Sequence, residues 1–170
     1  MKFGFAALGA AAVVLAIVAA LSRGPAGADS SMGSGMMGPN PTGGYTIHID
    51  ADKHYSAHPS EIIHHWCKKF DDGFIECALY DGDTPGSHLV GAETIVSPAT
   101  YHSFDAAEQK LWHYHKVEIP KLHATTPGLT KEQSAKLVAS LMETYGKVFI
   151  LWDPMTSKEP TGQPSITVLK

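Results

Sequence analysis

Trp112-His113-Tyr114-His115 sets two imidazoles two residues apart. On an extended strand alternate side chains share a face, so His113 and His115 would project together. Val117 and Ile119 continue that face, whereas Lys116 and Glu118 alternate away from it. The pattern predicts a strand over 113–119 with the His pair on its apolar side. Two inward imidazoles are unfavourable unless each finds a partner. A shared ion satisfies both, because neutral imidazole ligates Zn, Cu, Fe and Ni. Glu93 is the carboxylate that could complete the set. It interrupts a run that is apolar on both alternating faces, with Leu89 and Ile95 on one side and Val90, Ala92 and Val96 on the other. A carboxylate so placed needs a cation or several hydrogen bonds. The functional reading is a divalent transition-metal site of His113, His115 and Glu93, with His64 as a further ligand. The plainer reading, which a lone HxH favours, is a structural hydrogen-bonded network of the same residues.

A cupin arrangement is excluded by position. Its carboxylate would follow the HxH by four or five residues, where Ile119 and Pro120 stand, and Glu118 falls on the opposite face of the expected strand. Nucleophilic catalysis has little support: there is no GxSxG elbow, no phosphate-cradling Gly loop and no HExxH. Cys67 and Cys77 either form a disulfide, which would tie a helix to the hairpin after it, or pack as small apolar thiols. Their spacing is not the CxxC of a redox pair.

The elements that must position these residues follow from periodicity. Ser60 reads as the N-cap of a helix to about Phe70, with Ile62, Ile63, Trp66, Cys67 and Phe70 on one stripe and His64-His65 on its flanks. Phe74–Tyr80 and His88–Val96 read as a hairpin with a long Asp/Gly loop. Ser97-Pro98 opens a helical turn, and Asp105 to about Leu111 a second short helix. Thr130 with Gln133 forms a capping box for a helix whose stripe runs Leu137, Val138, Leu141, Met142, Tyr145 and stops at Gly146. Lys147–Trp152 and Ser165–Leu169 read as strands. The hairpin favours an α+β domain with a mainly antiparallel sheet over a parallel one.

That domain would occupy residues 45–170. Before it, Lys2 and the uncharged run Phe3–Leu21 lead to Pro25 and the small residues Ala26 and Ala28. This is the layout of a secretory signal over 1–28, cleaved before Asp29. The run is 19 residues long, so a retained anchor is the alternative, but eight of those residues are Ala and two are Gly, which is weakly apolar for a permanent span. Either way the domain would lie in the periplasm or outside the cell. Residues 29–44 read as a Gly/Ser/Pro linker. It carries Met32, Met36 and Met37, which are either filler or soft Cu(I) ligands. Lys2 and Arg23 precede every acid, so the chain from Asp29 onward holds 11 basic and 17 acidic residues and no Arg. Such a surface is a poor match for nucleic acid, whose binding rests on cationic contacts to phosphate.

Several ordered motifs carry a family resemblance. His64-His65-Trp66-Cys67-Lys68, Asp72-Gly73-Phe74, Cys77 and Leu79-Tyr80-Asp81 come first. Leu89 through Ser97, Lys110 through His115 and Thr144-Tyr145-Gly146-Lys147 follow. Over roughly His54 to Pro164 the chain resembles the oil body-associated protein family of plants, which has bacterial relatives of unknown function. The resemblance implies a non-enzymatic domain associated with a lipid or envelope surface. It supplies no catalytic or metal-ligating residues.

Overall fold

The structure is a computed structural model and describes residues 41–53 and 61–168. The signal or anchor segment, the three linker methionines and the rest of the linker up to residue 40 lie outside the described residues. The sheet begins with β1 (Ile47–Asp52), β2 (Ile62–Lys69), β3 (Ile75–Tyr80) and β4 (Leu89–Val96), and buried residues alternate with more exposed ones along β2 and β3. β5 (His113–Tyr114), β6 (Tyr145–Ile150) and β7 (Ser165–Thr167) complete one antiparallel sheet of seven strands in the order β1-β2-β3-β4-β6-β5, with β7 also on β6. The expected hairpin is β3–β4. The helices are short: α1 (Pro98–Ser103), α2 (Ala106–Gln109), α3 (His115–Glu118), a 3-10 turn at Ile119–Lys121, and α4 (Lys131–Met142). Ser97 caps α1 with Pro98 in its first turn, Asp105 caps α2, and Thr130 and Gln133 form the expected capping box on α4. This is the α+β architecture expected, with a mainly antiparallel sheet. No helix among the described residues is long and apolar enough to cross a membrane.

Residues paired directly across antiparallel strands share a face. One row runs Cys67, Cys77, Glu93, Val148, and the next runs Ile75, Ile95, Gly146, His113. Ile63, Leu79 and Ile150 extend this inner face, and Ile119, Leu137 and Leu141 pack against it from the helical side. Leu79 and Val148 are fully enclosed, and burial of side chains this size contributes about 1.5–3 kcal/mol each.

Three local expectations are corrected. Residues 62–69 form strand β2, not a helix. Strand period two puts Ile63, His65 and Cys67 on the buried face, and the sheet supplies partners on both sides of β2. Cys67 and Cys77 therefore stand opposite each other in register, with Cα atoms 4.0 Å apart, and are joined by a disulfide between two strands. The strand expected over 113–119 ends at Tyr114, and His115–Glu118 is a helical turn. Finally, α4 stops at Met142, and Tyr145 and Gly146 begin β6 rather than close the helix.

Candidate metal centre

Glu93 reaches the inner face from the middle of β4, and His113 from β5, where its paired residue on β6 is Gly146. The helical turn that follows delivers His115, whose backbone N–H donates to the Thr144 carbonyl at 3.2 Å. Glu93 Oε1 lies 3.3 Å from His113 Nε2 and 3.1 Å from His115 Nε2. Glu93, His113 and His115 are each 6% exposed or less. Ligands about 2.1 Å from one ion would be separated by roughly 3.0–3.4 Å in octahedral or tetrahedral geometry, which spans both distances.

The hydrogen bonds around His115 fix its tautomer. The Thr144 hydroxyl donates its only hydrogen to the Leu141 carbonyl at 2.6 Å. At 2.8 Å from His115 Nδ1 it must therefore accept, so Nδ1 carries a proton. In a neutral ring this leaves the Nε2 lone pair aimed at the Glu93 carboxylate. Two lone pairs facing each other in a buried site require a proton or a metal ion between them. Outer hydrogen bonding of this kind, from the distal ring nitrogen through a hydroxyl to a carbonyl, is how metal-ligating imidazoles are oriented.

Gly146 is what makes room. A Cβ there would lie 2.6 Å from His115 Nε2 and collide still harder with Glu93 Oε1 and His113 Nε2. Beside the three side chains is a cavity of about 60 Å³, lined also by Cys67, Cys77 and Leu141.

Two further residues join the cluster. Because His115–Glu118 is helical, Glu118 returns to the same side three residues on, and its Oε2 lies 2.6 Å from His113 Nε2. The expected placement of Glu118 on the far face is thus corrected. His65 projects inward from β2, with Nε2 3.9 Å from Glu93 Oε2. Its Nδ1 lies 3.1 Å from the Ile63 carbonyl, which can only accept, so this nitrogen too is protonated and Nε2 faces the cluster. His64, expected as a further ligand, is on the other face of β2 beside Asp50. The signal that would have found His65 is the period-two set Ile63, His65, Cys67.

Burial alone would push the Glu93 carboxyl up, but donation from His113 and His115 outweighs it and holds the carboxyl well below the usual carboxylate range. Burial works against the His113 imidazolium too. Glu118 and Glu93 outweigh it and raise the group from its ordinary 6.5 to about 9. These directions apply to the metal-free protein and set its pH dependence. The stabilisation from His113 is fully present below about pH 6.5 and is lost as pH rises through about 9. That from Glu93 is present above its ordinary 4.5 and is lost as pH falls through its depressed value. After chelation, urea unfolding should therefore show stability falling between pH 6.5 and 9, by about 1 kcal/mol per pH unit for one proton. His113→Gln should remove that slope.

Comparison with known proteins places the sequence in a family. A family model described as "Protein of unknown function (DUF1264)" matches residues 40–169. The chain belongs to the DUF1264 family. The match includes Glu93, the His pair and Gly146. Oil body-associated protein 2B of Arabidopsis thaliana is 32% identical over 126 residues, covering 72% of this chain and 51% of the plant protein. Oil body-associated protein 2A of the same plant is 33% identical over 124 residues, with 71% and 50% covered. Oil body-associated protein 2B of Zea mays is 31% identical over 115 residues, with 67% and 46% covered. This DUF1264 chain thus spans about half the length of the curated relatives it matches. No solved structure matches it.

Proposed function

We propose that this DUF1264 domain is a metal-binding module whose buried Glu93, His113 and His115 hold one divalent first-row transition ion. The observation that carries this reading is the convergence of His113 Nε2 and His115 Nε2 on Glu93 Oε1 at 3.3 and 3.1 Å, with Thr144 holding His115 through its Nδ1–H. Two imidazoles and a carboxylate make a nitrogen and oxygen donor set suited to Zn, Fe, Co or Ni rather than to Cu(I) or Ca. Glu118 Oε2, 2.6 Å from the same His113 Nε2, would lie beside the ion and offers a further oxygen, and His65 Nε2 offers a further nitrogen. The adjacent cavity has room for a water ligand. The ion would join β4, β5 and the α3 turn at the inner face of the sheet. Metal analysis of the full chain, purified without chelator or metal-affinity tag, tests the reading. Replacing His113 and His115 with Ala together should lower bound metal by about one equivalent. Unchanged metal in that variant, or none in the parent chain, would overturn it.

A second reading comes from the names of the plant relatives. We infer that the domain associates with a lipid or envelope surface and is exported, with the 1–28 segment cleaved or retained as an anchor. The Cys67–Cys77 disulfide supports an oxidising compartment. Flotation of the domain with liposomes should carry it upward; a domain left wholly in the soluble fraction would count against the surface reading.

A further inference from the structure

A second set of ligand atoms converges on the outer face of the same sheet. On β1, His48 and Asp50 alternate with Ile47, Ile49 and Ala51, which point to the core side. His64 is paired directly with Asp50 across to β2. Asp50 Oδ1 lies 2.9 Å from His48 Nε2 and 2.6 Å from His64 Nδ1. The loop after β3 adds Asp83, with Oδ1 3.8 Å from His48 Nε2. One ligand atom each from His48, His64 and Asp83 lies within 4.8 Å of the others.

Two observations separate this cluster from a solvated polar patch. His48 is only 9% exposed, and its ring is stacked on Trp66 with centroids 4.2 Å apart, so its orientation is set by packing. His48 Nε2, His64 Nδ1 and Asp50 Oδ1 are all sealed from solvent, yet none meets a partner in hydrogen-bonding geometry. At 2.6–2.9 Å the contacts are ion pairs when the imidazoles are protonated; with neutral rings the buried atoms lack a directed hydrogen bond. An ion shared among the nitrogens and carboxylates compensates all of them.

We propose that His48, His64, Asp50 and Asp83 form a second metal site, for a divalent transition ion of the Zn(II), Cu(II) or Ni(II) type. Asp83 and Trp66 also line an outer groove of about 710 Å³, which Tyr45 and Tyr80 help to form. Half-exposed Asp83 is the ligand that reaches the site from this groove, which leaves space beside it for a further oxygen or nitrogen ligand from a small molecule. The inner cluster has only its small cavity, so the outer ion should exchange faster with chelator.

The test is a Zn(II) titration of the chelator-stripped full chain by calorimetry, in the parent and in a His48→Ala, His64→Ala variant. The variant should lose about one equivalent, or bind it about 100-fold more weakly. Unchanged stoichiometry and affinity would overturn the proposal. A Glu93→Gln chain separates the two sites. If it is folded by circular dichroism and binds no Zn(II), the outer site fails while the inner one stands. If it keeps an equivalent that the His48 and His64 changes then remove, the outer site stands alone. Histidine ring resonances of the unmutated chain guard against misfolded variants: those of His48 and His64 should shift on adding Zn(II), and resonances that stay put would refute the site.

Discussion

Replacing Gly146 with alanine should abolish metal uptake at the inner cluster while leaving the chain folded. The new methyl group would occupy the point on which Glu93 Oε1, His113 Nε2 and His115 Nε2 converge, since its Cβ would meet all three at less than van der Waals contact. Those atoms are side-chain ends, so they can retreat, but not while remaining within reach of one ion. Overpacking of this kind typically costs about 1–3 kcal/mol, and a disturbed ligand set should lose about 100-fold or more in affinity. Urea unfolding and metal analysis of the variant measure the two effects separately. Full metal occupancy with ordinary stability would mean that the glycine is kept for another reason.

Glu93→Gln should have the next largest effect, and it separates a metal centre from a hydrogen-bonded network. The substitution keeps volume and one carbonyl acceptor but removes the charge. In a network of neutral groups, glutamine could still accept from His113 or His115, and stability would change little. In a metal centre it removes the anionic ligand, and metal content should fall with it. In the metal-free protein, removing a carboxylate that faces a raised His113 leaves that charge with Glu118 alone, and truncating one member of a buried ion pair commonly costs about 3–5 kcal/mol. The expected signature is loss of metal together with a lower urea midpoint, and a His113 titration moved back toward the ordinary histidine value. A variant that retains its metal would rule Glu93 out as a ligand.

The parts of this site that sequence made legible are those whose local pattern is strong. The β3–β4 hairpin, the caps at Ser97 and Thr130, and the anomalous Glu93 in an otherwise apolar strand were all readable. So was the pairing of His113 with His115, although their common side arises from a strand-to-helix junction rather than from a continuous strand. The HxHxVxI alternation looked like seven extended residues. Only the fold shows that the chain turns after Tyr114, which converts Glu118 from an outward residue into a partner of His113. β2 misled for a related reason. Ile62, Ile63, Trp66 and Cys67 satisfy a helical stripe, and the true inner face includes a histidine, which hydrophobic periodicity does not count. Gly146 looked like a helix stop because the apolar stripe of α4 runs on to Tyr145. Its role depends on three side chains contributed by β4, β5 and α3, a coincidence that no local window contains.

The proposed inner metal centre is tested most directly by diffraction. Crystals of natively purified full-length chain would be measured above and below the absorption edge of the metal found by elemental analysis. The expected result is an anomalous peak about 2.0–2.2 Å from Glu93 Oε1, His113 Nε2 and His115 Nε2, with Thr144 still holding His115 Nδ1. Well-ordered density for those side chains with no anomalous peak between them would contradict a metal centre.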